Sequence, residues 1–385
     1  MANPNRRGQA GSEVSIGMQG ADYTPFANTH FILPHGLRLQ QKVGMVDITN
    51  VSASGGTVTY TAANNYSAGD IVSIYYVDPV AYDLHNVTIA SASSTQFTVT
   101  NAATGTYVSG GVAQKTGQFD VTIPDGITFV YAILTGSGAT NGNTNGSHGG
   151  GGGGVAWGWT LAASSCVIGA GTTAGTTSSG RYSSYGNIIA GGGASFQATP
   201  TLGAGASGAT NSYAGATNYW GTPGSPTVPT SAGANGRAGA GGGGGVSSST
   251  AGTSGGDGGS GISGGGGGAC SATGSQTNNG GNGGSGLVGG GGGAASGTTG
   301  TRNGGNGGDG FNILTGEVTI GGSGATGTGA GGGGGGGAGI AGNGFSPAIS
   351  ARGGHGGLGG GAGGGTTGGA SNGGTGGAGI LYLFY

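Results

Sequence analysis

The chain has 385 residues, 109 of them glycine, and only 5% of its residues are charged, against about 7% glycine and about 25% charge in average proteins. Nine Lys+Arg against eleven Asp+Glu leave no basic stripe for nucleic acid and few polar groups for a catalytic cluster. No apolar run approaches the ~18 residues of a membrane-spanning helix, and the N-terminus shows no apolar core of a secretory signal.

Glycine-rich chains usually behave as flexible coil. Such coils normally carry high net charge, whereas this chain sits at −2, so ordered structure is expected. Glycine is unevenly placed, with 13 residues up to Asp125 and 96 after it. Charge runs the other way, and lysine is absent beyond Asp125. Composition alone therefore marks a boundary.

Residues 1–43 read as a docking segment without clean periodicity, broken by Pro25 and Pro34. Residues 44–114 read as a small all-β domain, a barrel or sandwich. Short β-branched runs at Met45–Val51, Thr57–Thr61, Ile71–Val77, Asn86–Ala90, Gln96–Thr100 and Tyr107–Ala113 alternate with turn residues. Its expected core is Val46, Ile48, Val58, Ile71, Ile74, Val87, Ile89, Phe97 and Val99.

Residues 115–385 read as a glycine-rich domain on a β scaffold. Gln118–Ile123 and Ile127–Leu134 flank Pro124-Asp125-Gly126, which predicts a hairpin. The apolar end Ile380–Tyr385 needs a buried place, and a position beside Ile127–Leu134 is the simplest. The scaffold strands are thus expected within 118–134 and 380–385, with repeats over 240–378.

Within that span, X-Gly-Gly recurs in blocks beginning at Ser254, Asn279, Asn303, Arg352 and Asn372. Block starts are spaced by twenty to twenty-five residues, once doubled, and oligoglycine runs fall between them. A period of three suits an extended threefold helix without internal hydrogen bonds. Its N–H and C=O groups all point sideways and need neighbours. The expected architecture is a bundle of polyglycine-II helices, with little or no α-helix. Collagen needs Gly-X-Y with abundant proline, and no block contains proline.

Few residues suggest chemistry. Gly304–Asn312 fits the calcium nonapeptide around Asp309, but the tandem copies such sites need are missing. The absence of lysine from the tract excludes a P-loop. The five histidines lack metal-ligand spacing, and Asp78, Asp83 and His85 read as a turn around Pro79. No cofactor is expected. Cys166 and Cys270 could pair only if the fold brings them close, and free thiols are the default. Arg181, Tyr182, Tyr185, Tyr213, Tyr219 and Trp220 lie among Gly, Ser and Asn with few aliphatics. That is the composition of a recognition surface, and also of rings packed on glycine.

Gln118–Leu134, the glycine tract, Trp157-Gly158-Trp159 and the ending Gly379-Ile380-Leu381-Tyr382 resemble the glycine-rich domain of tailed-phage minor tail proteins. Residues 57–114 likewise resemble a small β module of phage tail proteins. The resemblance implies a tail fibre-type adhesin in the virion, made in the host cytoplasm. It also implies other tail proteins as partners, a homo-oligomer (a trimer) and contact with a bacterial surface glycan or protein. A head or tail decoration, or a glycine-rich bacterial cell-surface protein, are the alternatives. An enzyme is not expected: glycosidases need paired carboxylates, and beyond Asp125 the chain holds only Asp257, Asp309 and Glu317.

Overall fold

A computed structural model describes residues 36–141, 148–195, 254–271, 276–297, 299–328, 331–348, 351–366 and 373–385. The fold is mainly β. Among the described residues there is no α-helix, only a 3-10 turn at Val80–Tyr82.

The strands of the N-terminal half are β1 (Leu39–Lys42), β2 (Met45–Asp47), β3 (Asn50–Ser54), β4 (Thr57–Thr61), β5 (Ile71–Asp78), β6 (Val87–Ser93) and β7 (Gln96–Thr100). They continue as β8 (Ser109–Asp120), β9 (Phe129–Thr135), β10 (Val155–Leu161), β11 (Ser165–Ile168), β12 (Ser183–Tyr185) and β13 (Ile188–Ala190). A ten-stranded sheet runs in the order β13-β12-β11-β8-β5-β6-β7-β4-β3, with β2 also on β8. Its core holds Val58, Tyr60, Val72, Ile74, Tyr82, Ile89, Phe97 and Val99. Ile71, expected inside, is 44% exposed. The interior volume goes instead to Tyr60 and Tyr82, whose polar tips find partners: Tyr60 donates to Tyr82 O at 2.8 Å and Tyr82 to Gly105 O at 2.6 Å.

Two sequence expectations change here. The strand β8 runs straight through position 114, so the ten-stranded sheet continues into the glycine-rich half. The hairpin predicted around Pro124-Asp125-Gly126 does not form. Instead β8 pairs with β2, β5 and β11, whereas β9 pairs with β10 and the C-terminal strand Ile380–Phe384. The turn switches the chain between sheets because each flanking strand has a longer-range partner that buries more apolar surface. The second sheet orders β1, Ile380–Phe384, β9 and β10. Both of its faces are covered, which explains the unbroken apolar run at the C-terminus.

The glycine blocks form a lattice. Gly280, Gly283 and Gly286 donate to Asn303, Asn306 and Asp309, while Gly281 and Gly284 donate to Gly268 and Gly265. Bonds thus repeat every three residues, and adjacent residues bond in different directions. The run 289–293 donates to the segments at Ala338, Gly284 and Gly150, and accepts from those at Gly267, Gly308 and Gly361. Six neighbours surround it, so no direction is left for a side chain. A Cβ on Gly291 would run into Ala362 O, and one on Gly292 into Gly305 O. Glycines 255–268, 280–293 and 304–310 avoid the left-handed region of φ.

The X-Gly-Gly blocks 254–260, 279–285 and 303–309 lie at the surface of this lattice, where the X position faces outward, whereas Leu358, Thr375 and Ala378 at X positions of the later blocks are buried. An outward residue's N–H has no backbone neighbour, and a side chain supplies the acceptor. Asn282 N donates to Asp257 Oδ1 at 2.6 Å, while Gly258 N donates to Asn282 O at 2.7 Å. Asn306 N donates to Asn282 Oδ1 at 2.9 Å, while Gly283 N donates to Asn306 O at 2.8 Å. Ser260 and Ser285 do the same for Ser285 and Asp309. At Asp257, Ser260, Asn282 and Ser285 the X residue and the glycine after it thus clasp the backbone of one residue in the next block, whereas Ser254 and Asn279 bond to the next block's side chain. Short side chains with an oxygen two bonds beyond Cβ or nearer fit this geometry, which accounts for Asp, Asn and Ser at X.

Candidate recognition surface

The two ends of the lattice differ in chemistry. At one end the turns carry Ile262, Leu287, Val288, Ile340 and Leu358, all buried with Tyr131, Ile133, Tyr382 and Tyr75 from the sheets. Each turn contributes the apolar bulk that the glycine blocks lack. At the opposite end the blocks meet through polar and small residues. Cys270 pairs with Ala295, Ala295 bridges to Gly332, and Thr366 N donates to Ala351 O at 2.9 Å. Thr140 Oγ1 donates to Gly374 O at 2.7 Å. From this end the chain leaves into 142–147, 272–275, 329–330, 349–350 and 367–372, which lie outside the described residues.

Arg302 stands at the same end, fully buried. Its guanidinium donates to Gln276 O at 2.6 Å, Thr301 O at 3.1 Å and Thr299 O. One planar cation thus gathers carbonyls from two connections. Sequence inspection gives no signal for it, because a lone arginine among glycines reads as solvated.

The aromatic candidates separate. Tyr182 is 54% exposed, and Arg181 is exposed with its backbone held to Ser137 (Ser137 N to Arg181 O 2.9 Å; Arg181 N to Ser137 Oγ 2.7 Å). They lie on the flank of the lattice, between the Thr140–Ser178 bridge at the loop end and the sheets. Tyr185 is a correction: it is buried beneath β11 beside Cys166, and its hydroxyl donates to Ala163 O and accepts from Ala163 N, both at 3.0 Å. Packing therefore claims Tyr185, because its neighbours in β12 and β13 fold over the second sheet. Tyr213, Tyr219 and Trp220 lie outside the described residues.

Asp309 serves the lattice, whereas exposed Glu317 bonds within its own turn. Asp309 Oδ1 accepts from Gly321 N at 3.0 Å, and Glu317 Oε2 from Thr315 Oγ1 at 3.3 Å. Among the described residues no group of three or more His, Cys, Asp or Glu could hold a metal ion. A shallow polar groove of about 500 Å³ runs over Asp257, Asn279, Asn282, Asn303 and Asn306. Cys166 and Cys270 are both free and buried, and burial pushes the Cys166 thiol up to about 12 despite Lys115.

The seam between the ten-stranded sheet and the lattice concentrates titratable groups. Tyr76 takes φ +64°, which breaks strand alternation, so consecutive tyrosines both reach the lattice. Ala378 N donates to Tyr75 Oη at 2.8 Å, and Leu358 N to Tyr76 Oη at 3.2 Å. Gly342 leaves room for the Tyr76 ring, since a Cβ there would sit 2.5 Å from it. The rings of His85 and His355 lie 4.6 Å apart. Thr375 N donates to His355 Nδ1 at 2.9 Å, so that nitrogen carries no proton. Burial holds His355 down at about 4, with Arg352 adding to the effect, and holds His85 well below the usual histidine range. Asp83, two residues before His85, accepts from Val77 N at 2.8 Å and is pushed up to about 7 by burial.

Sequence inspection also passed over an exposed apolar edge, where Phe129, Trp159 and Leu161 are 58%, 47% and 59% exposed on β9 and β10. Trp159 stands edge-on to Tyr131 at 5.6 Å. Comparison with protein-family models, curated proteins and solved structures returns no match for this chain.

Proposed function

We propose that this chain is a structural virion protein of a tailed phage, a minor tail protein that projects from the tail and contacts the host cell surface. The observation that carries this reading is the polarity of the lattice. One end is sealed by apolar side chains into two β-sheets, and at the other the described ends of successive blocks lie side by side. Such a body gathers the described ends of several blocks at one tip on a base packed against the sheets, which suits display. We read the lattice as a polyglycine-II bundle, on its bonding period of three and its six-neighbour blocks. Contact falls to the loop end together with Arg181, Tyr182, Tyr213, Tyr219 and Trp220, and its ligand is a surface glycan or protein. The chain works as a homo-oligomer, a trimer as the resemblance to tail proteins implies, and several weak sites on one particle then give avidity. No cofactor enters this function.

Immunogold labelling of particles from the source, with antibody to residues 44–114, tests the placement. Gold at the distal tail is the expected result, and gold confined to the head or absent from particles overturns it. Cell binding by the full chain tests the contact: Tyr219→Ala with Trp220→Ala abolishes binding and leaves assembly intact. The exposed edge at Phe129, Trp159 and Leu161 favours a second reading, a purely architectural tail subunit docked through that edge. On that reading Trp159→Ser prevents incorporation, and the loop substitutions have no effect on adsorption.

A further inference from the structure

We propose that the surface clasps of the lattice also keep five Asn-Gly sequences from modifying themselves, and that opening the lattice converts these irreversibly to aspartate and isoaspartate. The five are Asn279-Gly280, Asn282-Gly283, Asn303-Gly304, Asn306-Gly307 and Asn343-Gly344. In a flexible chain the backbone nitrogen following an asparagine loses its proton and attacks Cγ. The N–Cγ bond forms, the Cγ–Nδ2 bond breaks, and ammonia leaves. Water then adds to one of the two carbonyls of the cyclic imide, giving aspartate or isoaspartate. Glycine in the second position leaves the attack unhindered, because it has no Cβ. The lattice demands glycine there for the same reason, so its sequence carries this hazard at every Asn-Gly block.

Folding ties up the nucleophile in all five. The N–H groups of Gly280 and Gly283 donate to Asn303 O and Asn306 O at 2.8 Å each. Those of Gly304, Gly307 and Gly344 donate to Ala325 O, Gly322 O and Ile320 O at 2.8, 2.8 and 2.9 Å. The electrophile is tied up as well. Asn282 Oδ1 accepts from Asn306 N, Asn306 Oδ1 from Gly324 N, and Asn343 Oδ1 from Ile320 N, at 2.8–2.9 Å. Asn279 is held between Ser254 and Asn303, and Asn303 Oδ1 also accepts from Thr326 Oγ1 at 3.0 Å. Cyclisation must break both sets of bonds and swing Cγ onto the glycine nitrogen. The two reactants are therefore released together, and only when neighbouring blocks part.

Conversion makes opening a one-way event. Aspartate keeps an oxygen where the clasp needs one. Isoaspartate adds a carbon to the backbone, so residues beyond it fall out of the three-residue bonding period and the ladders cannot be rebuilt.

The test holds the full-length chain in mildly alkaline buffer, native or in guanidinium chloride, and maps the five sites by mass spectrometry. Amide hydrogen exchange of the five glycines is followed in the same native sample. Conversion in the native chain is expected to be at least about tenfold slower than in the denatured one, with all five amides protected. Equal conversion in both states despite protected amides overturns the proposal. Exchange as fast as in the denatured chain overturns it too, because the clasps would not be holding. Chains aged in denaturant and then refolded should regain less exchange protection as isoaspartate accumulates, and equal recovery would sink the one-way step.

Discussion

A glycine in the middle of the lattice and a glycine in a turn are chemically the same residue with opposite tolerances. Gly291 has neighbours on every side, so Gly291→Ala forces a methyl into Ala362 O. It is expected to cost about 3 kcal/mol or more, read as a lowered midpoint in chemical denaturation. The outward positions fail differently. Asn282→Ala removes the acceptor of Asn306 N, and a loss of about 1 kcal/mol is expected. Asn282→Asp or Asn282→Ser restores the oxygen and should recover most of the loss; failure of both to do so would refute the clasp. Among the tyrosines, Tyr182→Ala should leave stability within about 0.5 kcal/mol, whereas Tyr185→Ala should cost about 3–5 kcal/mol. Thermal denaturation of the two variants separates a surface ring from a core ring.

At the scale of elements, β5 acts as a bracket between sheet and lattice. Its two tyrosine hydroxyls take the N–H groups of Leu358 and Ala378, where blocks end. Tyr75→Phe leaves the buried Ala378 N–H without its acceptor, at an expected cost of about 1–3 kcal/mol. Hydrogen exchange should show the loosening at residues 373–379 first, and exchange spread evenly over the molecule would argue against a bracket. The C-terminal strand is the counterpart on the other sheet. It was legible in the sequence as six apolar residues in need of cover. Its partner on the far side, β1, was not, because Leu39–Lys42 has a mixed pattern whose pairing depends on the register of Ile380–Phe384. The failed hairpin at Pro124-Asp125-Gly126 has the same cause: turn chemistry is local, and strand partners are chosen by distant apolar surface.

For the whole molecule, the low charge moves pH dependence onto buried groups. Burial holds His148 and His355 down at about 4, and His85 well below the ordinary histidine value of 6.5. A histidine kept neutral in this way contributes stability that is complete above pH 6.5 and is lost as pH falls towards about 4. Asp83 works in the opposite sense: with its folded value raised from 3.8 to about 7, its contribution is complete below 3.8 and is lost as pH rises through 7. Three groups against one predict acid destabilisation between about pH 6.5 and 4. His355→Asn keeps an acceptor for Thr375 N and should flatten that slope in denaturation midpoints measured across the range. An unchanged slope in His355→Asn would place the acid sensitivity elsewhere.

By itself the sequence determined that the chain would be β-rich, poor in charge and dependent on glycine at two positions in every three along its blocks. Those properties are local, since a threefold extended chain without side chains has a recognisable period wherever it sits. It also marked the oligoglycine runs, and the lattice explains the run 289–293 as a block with neighbours on six sides. Only the tertiary structure decided which segments lie side by side, because glycine blocks carry no side chains by which one neighbour could be told from another in sequence. The same holds for Tyr182 and Tyr185, three residues apart and alike in composition of surroundings. One is exposed and one is buried because β12 and β13 fold over the second sheet, a contact that no pattern around residues 181–185 records.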